Sequence, residues 1–218
     1  GLVGEYNSQT TVVDPDQKRW MPPPIPTDVP TNFVQGLKTV GGAGDPCTRD
    51  GFAVHMYMCN TSMVNCSLTN ADGDFLIVPQ QGSLRITTEF GKLEVPPRYI
   101  CVIQRGMRFR VEVDGPSRGY ILEILGKHSS LPELGPIGAN GLAEPQDFET
   151  PAAAYEDVEG IQFTLFNKFG GKMFAAEQTF SPFNVVAYSG NYVPYRYNLE
   201  KFCCILSVTK GHLDPSIY

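Results

Sequence analysis

From Gly73 onward the chain runs as short stretches of alternating apolar and polar residues, broken by turns roughly every ten positions. That cadence leaves little room for anything but antiparallel β structure. The stretches are DFLIVP (74–79), SLRITTEF (83–90), ICVIQ (100–104), FRVEV (109–113) and GYILEIL (119–125). Gln81-Gly82, Gly91-Lys92 and Arg105-Gly106 mark turns between them. In SLRITTEF, Leu84, Ile86, Thr88 and Phe90 alternate with Ser83, Arg85, Thr87 and Glu89, the period of a half-buried strand. Upstream, one face of 52–59 carries Phe52, Val54, Met56 and Met58. Further strands are predicted at 161–167, 172–177, 184–188 and 202–208, with helical periodicity weak throughout. The expected class is mainly β: a jelly-roll barrel or sandwich with long Gly/Pro-rich loops and little helix.

With 218 residues the chain affords one large core or two small ones. Residues 1–46 read as a Pro-rich arm, because MPPPIPTDVP (21–30) forbids regular helix or a central strand and VGGAGDP (40–46) is a turn cluster. Trp20 and Phe33 are its candidate anchors. A β domain is expected over 47–205, interrupted by a long loop at 127–157 of the kind that serves function or an interface.

A net charge of −6 and no basic stripe argue against a nucleic-acid partner. The densest basic stretch, Arg105, Arg108, Arg110 and Arg118, includes Arg108 and Arg110 alternating with Phe109 and Val111, which reads as the solvated face of a strand. No apolar run approaches the ~18–20 residues a membrane helix needs. The chain opens at Gly1 without a secretory layout and reads as a piece lacking its true N-terminus. Cys47, Cys59, Cys66, Cys101, Cys203 and Cys204 form no CxxC pair, which favours a reducing, cytoplasmic setting. The acceptor patterns at Asn60 and Asn65 carry little weight without a secretory signal.

Catalytic motifs are sparse. Gly135, Gly138 and Gly141 lack the Lys-Ser/Thr pair of a phosphate loop, and no GxSxG elbow occurs. Asp72-Gly73-Asp74 reads as a tight turn, and Glu156-Asp157 are adjacent rather than opposed. Of the three histidines, His55 reads as structural and His128 as a loop anchor. The strand series resembles a cupin barrel, in which two His and a Glu on an early strand and a later His converge on one metal. Here those slots fall near Leu68, Asn70, Phe75 and Arg108 or Phe109, so the barrel is expected to be metal-free.

Longer motifs carry a more specific resemblance. Residues 72–109, LGPIGANGLAEPQDF (134–148) within the 135–157 stretch, SPFNVVAYSGNYVPYRYNL (181–199) and HLDPSIY (212–218) resemble the homogentisate 1,2-dioxygenase family, in order and at suitable spacing. VGGAGD (40–45) and HMYMCNTSM (55–63) do likewise. Ala154 departs from an expected Trp, and Tyr188-Ser189 from an expected Trp-His. The resemblance implies an Fe(II) enzyme that opens the ring of homogentisate with O₂, giving maleylacetoacetate. It implies iron ligands beyond Tyr218, with 206–218 the start of that catalytic domain and no metal or cofactor ligand in this chain. His212, before the DPSI motif, becomes the one candidate catalytic residue. The family forms hexamers built from trimers, and the arm and the 127–157 loop are the expected contacts. The alternative is a non-catalytic, cupin-like binding or scaffold protein.

Overall fold

The computed structural model describes residues 21–132, 143–184, 190 and 192–202. Among the described residues thirteen strands follow one another: β1 (Leu37–Asp45), β2 (Asp50–Cys59), β3 (Cys66–Asn70), β4 (Asp74–Gln81), β5 (Leu84–Thr88), β6 (Gly91–Val95) and β7 (Tyr99–Ile103). The remainder are β8 (Arg108–Val113), β9 (Ser117–Ile124), β10 (Phe148–Glu149), β11 (Glu159–Phe169), β12 (Lys172–Phe180) and β13 (Tyr195–Asn198). Among the described residues the only helical pieces are two short 3-10 turns, Pro145–Asp147 and Leu199–Lys201. The strands form two sheets, ordered β1-β2-β9-β4-β7-β13-β10 and β12-β11-β3-β8-β5-β6. Pairing is antiparallel except for β3 and β11, which run parallel with Cys66 opposite Thr164.

The core lies between the sheets, where the inner faces of both interdigitate. Phe33, Phe75 and Phe109 form an edge-to-face chain there, with Phe75 and Phe109 centroids 6.5 Å apart. Phe33 is thus the buried anchor its position suggested, while Trp20 lies outside the described residues. The strand stretches read at 74–79, 83–90, 100–104, 109–113, 119–125, 161–167 and 172–177 all contain strands of the fold. Those at 184–188 and 202–208 lie almost wholly outside the described residues.

Two local readings need correction. The turn cluster at 40–46 is strand as far as Asp45, hydrogen-bonded along β2. Its glycines reflect close approach of the two backbones: at Gly44, φ is +90° and a Cβ would sit 2.1 Å from the Asp50 carbonyl oxygen. The arm therefore keeps irregular structure only over its earlier described part, 21–36. Asn60 fastens that part, donating from Nδ2 to the Pro26 and Val29 carbonyls at 2.9 and 3.1 Å and accepting from the Thr31 N–H at 2.7 Å.

On β2 the buried face is the opposite of the one read from its apolar residues. Its fully buried inner residues are His55, Tyr57 and Cys59, and Phe52, Val54 and Met56 turn outward. Alternation alone cannot choose between faces when both are largely apolar. The choice follows from what each face meets: Tyr57 stands opposite Gly119 of β9, whose missing side chain leaves space for the ring. A Cβ at Gly119 would lie 2.6 Å from that ring and 2.3 Å from the Val78 carbonyl oxygen. Gly119→Ala is therefore expected to destabilise by about 1–3 kcal/mol through overpacking, read as a lower urea midpoint. An unchanged midpoint would remove this account of the register.

Candidate functional site

The cupin slots named from the sequence do converge, and apolar side chains dominate them. Leu68 faces Phe109 across β3 and β8, and Phe75 packs edge-on against Phe109; all three are fully buried. Asn70, the polar slot, belongs instead to a buried charge network on the β3, β9 and β11 side of the core. Lys168 Nζ donates to Asp72 Oδ2 at 2.6 Å and to Glu123 Oε1 at 2.8 Å. Asn70 Nδ2 donates to the same Glu123 oxygen at 2.6 Å and to the Gly73 carbonyl at 2.7 Å. Asp72 also accepts from the Gly170 and Gly171 amides at 2.6 and 2.9 Å. His55 closes the set: its Nε2–H donates to Glu123 Oε2 at 2.8 Å, and Nδ1 then accepts from the Thr39 hydroxyl at 3.0 Å. Every side chain from Asn70 to Lys168 in this network is under 5% exposed.

Burial alone would push the Glu123 carboxyl up, yet hydrogen bonds from His55, Lys168 and Asn70 and the Lys168 charge hold it below the usual carboxylate range. One lysine is thus shared by two buried carboxylates, whose remaining oxygens are held by the Gly170 and Gly171 amides, His55 and Asn70. Its ammonium occupies the space a divalent cation would need, so these donors do not fit an iron site. Among the described residues no group of three or more His, Cys, Asp or Glu is arranged to hold a metal ion. Sequence reading missed Lys168 because its partners lie 96 and 45 residues away; the one local signal was a lone lysine inside the apolar run IQFTLFNKF.

His128 and the Asp72-Gly73-Asp74 turn meet in a second polar cluster, at the end of the first sheet. Asp74 is buried and accepts from the Arg105 and Ser129 amides at 2.8 and 2.6 Å. Its Oδ1 lies 3.0 Å from His128 Nδ1, and the Tyr192 hydroxyl lies 2.5 Å from the same nitrogen. His128 therefore anchors the loop after β9, as expected of it, and the 72–74 turn is built on two buried carboxylates. Burial, then the Asp74 charge, pushes the Tyr192 phenol up to about 12, so it stays protonated at neutral pH.

Arg110 is not the solvated strand residue its alternation suggested. Its guanidinium forks onto the Glu156 carboxylate and stands 5.3 Å over the Phe183 ring. Glu156 also accepts from the Ser181 hydroxyl at 2.9 Å, and its amide donates to the Phe183 carbonyl. Burial would raise the Glu156 carboxyl, but the Arg110 and Ser181 hydrogen bonds bring it below its ordinary range. These contacts hold the second half of the 127–157 loop against the six-stranded sheet, with Lys92 and Ala152 adding a backbone bridge. Arg110→Met is expected to speed amide exchange at Glu156 and Ala152 by at least tenfold while leaving β4 and β9 protected. Uniform exchange across the chain would argue against a local clamp.

Cys59 and Cys101 are buried free thiols pushed up to about 12 by burial, hence protonated and unreactive; Cys66 is buried and Cys47 exposed. A cleft of about 600 Å³ lies beside β6, lined by Arg85, Lys92 and Arg196, of which Arg85 pairs with Asp114 and Arg196 with Glu149. No helix of the described residues is long and apolar enough to cross a membrane. Ala154 is half-buried; Tyr188, Ser189, residues 135–142 and His212 lie outside the described residues.

Two sheets around a packed interior, almost without helix among the described residues, define a jelly-roll-like β protein, and cupins stand among its neighbours in solved structures. A cupin 2 conserved barrel domain protein from Leptotrichia buccalis covers 75% of this chain and 82% of its own at 12% identity and a TM-score of 0.34. A cupin-2 domain containing protein from Shewanella frigidimarina covers 34% and 70%, at 16% identity and a TM-score of 0.31. Sequence comparison is far more specific. The family model described as "Homogentisate 1,2-dioxygenase N-terminal" matches residues 2–199, and the chain belongs to that family. The homogentisate 1,2-dioxygenase of Dictyostelium discoideum is 58% identical over 218 residues, 100% of this chain and 50% of the relative. That of Homo sapiens is 57% identical over 209 residues, 94% of this chain and 47% of the relative. The chain thus spans about half the length of the relatives it matches.

Proposed function

We propose that this chain is the N-terminal β portion of a homogentisate 1,2-dioxygenase, which opens the ring of homogentisate with O₂ to give maleylacetoacetate. The observation that carries the reading is 53–58% identity, across essentially the whole chain, to relatives bearing that name. It also speaks against a free-standing scaffold protein, because these relatives continue for about as many residues again.

In this reading the described β sandwich is scaffold. Its interior is filled by Leu68, Phe75 and Phe109, and its buried charges are spent on one another. Fe(II), held by ligands beyond Tyr218, would supply the binding and activation of O₂ and substrate oxygen. His212 accepts the substrate hydroxyl proton and returns it, a task suited to an imidazole whose unperturbed pKa is near 6.5. The protein works in the cytoplasm as a homo-oligomer of trimers paired into hexamers.

The test is oxygen uptake by the full-length protein given homogentisate. One O₂ should be consumed per ring opened, and both atoms of ¹⁸O₂ should appear in the product. No uptake by iron-loaded, folded protein would reject the assignment. Stoichiometric iron binding by residues 1–218 alone would reject the placement of the ligands.

A further inference from the structure

A sheet packed on one face alternates apolar and polar side chains; the seven-stranded sheet here does not. Its inner row is His55, Ile121, Ile77 and Cys101, all buried. The next row turns outward and is just as apolar. Val54 faces Leu122, Leu122 faces Leu76, and Leu76 faces Val102, across four adjacent strands; Val102 is already buried, so the open part of the row is Val54, Leu122 and Leu76. Beside it, Tyr120 stands 46% exposed between Met56 and Val78, and Phe52 is 43% exposed beyond. Charge lies toward the margins, with Lys38 opposite Met56 on the edge strand β1, Arg118 near Pro23 at one end and Arg105 with His128 at the other. A continuous apolar centre with a polar rim is the anatomy of an interface, and strands apolar on both faces are the pattern of a sheet covered on both sides.

We propose that this outer face is covered by the part of the same polypeptide that follows Tyr218, making the seven-stranded sheet the shared wall between the two halves of the protein. Two observations choose this occupant over a second copy. The relatives carry about as many residues again as this chain. And β13, the last described strand, lies in this same sheet beside β7, so the polypeptide leaves the described residues from the wall it is to cover. The proposal rests on the reading that the chain is one half of a longer dioxygenase.

The experiment uses the full-length protein carrying Tyr120→p-benzoylphenylalanine or, separately, Phe52→p-benzoylphenylalanine. Both positions are over 40% exposed here, so the larger ring does not disturb the core. After irradiation the adduct should run at single-chain mass, and its cross-linked peptides should map after Tyr218. Cross-links to residues 1–218 of another subunit, cross-links between different chains, or products of solvent quenching alone would each overturn the proposal. Oxygen uptake measured on the same samples keeps the two readings apart. Active enzyme with a free wall rejects this inference alone, and cross-linked protein that never consumes O₂ rejects only the assigned reaction.

Discussion

Replacing Lys168 with alanine is expected to lower stability by about 3–5 kcal/mol, a large share of what holds an ordinary domain folded. The substitution strands Asp72 and Glu123, both at most 2% exposed, without the ammonium they share. The loss comes from two unpaired buried charges rather than from missing attraction, so neutralising them should restore most of it. Lys168→Met combined with Asp72→Asn and Glu123→Gln should recover at least half of the loss, because a neutral set of similar shape avoids the desolvation penalty. Urea midpoints of the three proteins decide the matter. A triple variant as weak as Lys168→Ala would show that packing, not charge, governs the site. Acid provides an independent check. The Glu123 carboxyl sits below its ordinary value of 4.5, so its contribution is complete above that pH and is lost as the pH falls through the lower, folded value. Stability should therefore drop on acidification below about 4.5, and Glu123→Gln should flatten that drop.

The other large effect is expected at His212. In the full-length enzyme, His212→Ala should reduce kcat by about 10²–10⁴-fold, the usual range for loss of a positioned acid–base group. Iron content and the KM for homogentisate should change little, since the proposed role is to move a proton, not to hold the metal. The pH–rate profile should also lose its acidic limb, a change that loss of a merely structural hydrogen bond would not produce. A parallel loss of iron and activity would reassign His212 to the metal site.

Much of the fold was legible because β structure writes itself locally: runs such as FRVEV show their period within a few residues. What could not be read depends on partners far along the chain. The inward face of β2 was decided by Gly119 and Glu123, which make room for Tyr57 and hydrogen-bond His55. Arg110 looked solvated because its alternation with Phe109 and Val111 is real, but Glu156 and Phe183 arrive from elsewhere to cover it. The glycines at 40–46 suggested a turn because close backbone packing and tight turning demand the same residue. The candidate catalytic residue was visible only through a family motif, for a single histidine near a Pro has no distinguishing physical signature of its own.

The parallel pairing of β3 with β11 also has a consequence for how the protein is made. Cys66 leaves the ribosome roughly a hundred residues before Thr164, the residue it must pair with. At about 5–20 residues per second, the β3 edge and the Asp72 carboxylate wait some ~5–20 s for β11 and its lysine. During that interval β3 is paired with β8 on one side only, and its open edge lies beside an acid that lacks its lysine. The acid is costly to bury but keeps the waiting segment charged, and charge beside an open strand discourages pairing with the wrong chain. The lysine that pairs with Asp72 thus arrives on the same strand that completes the β3 edge.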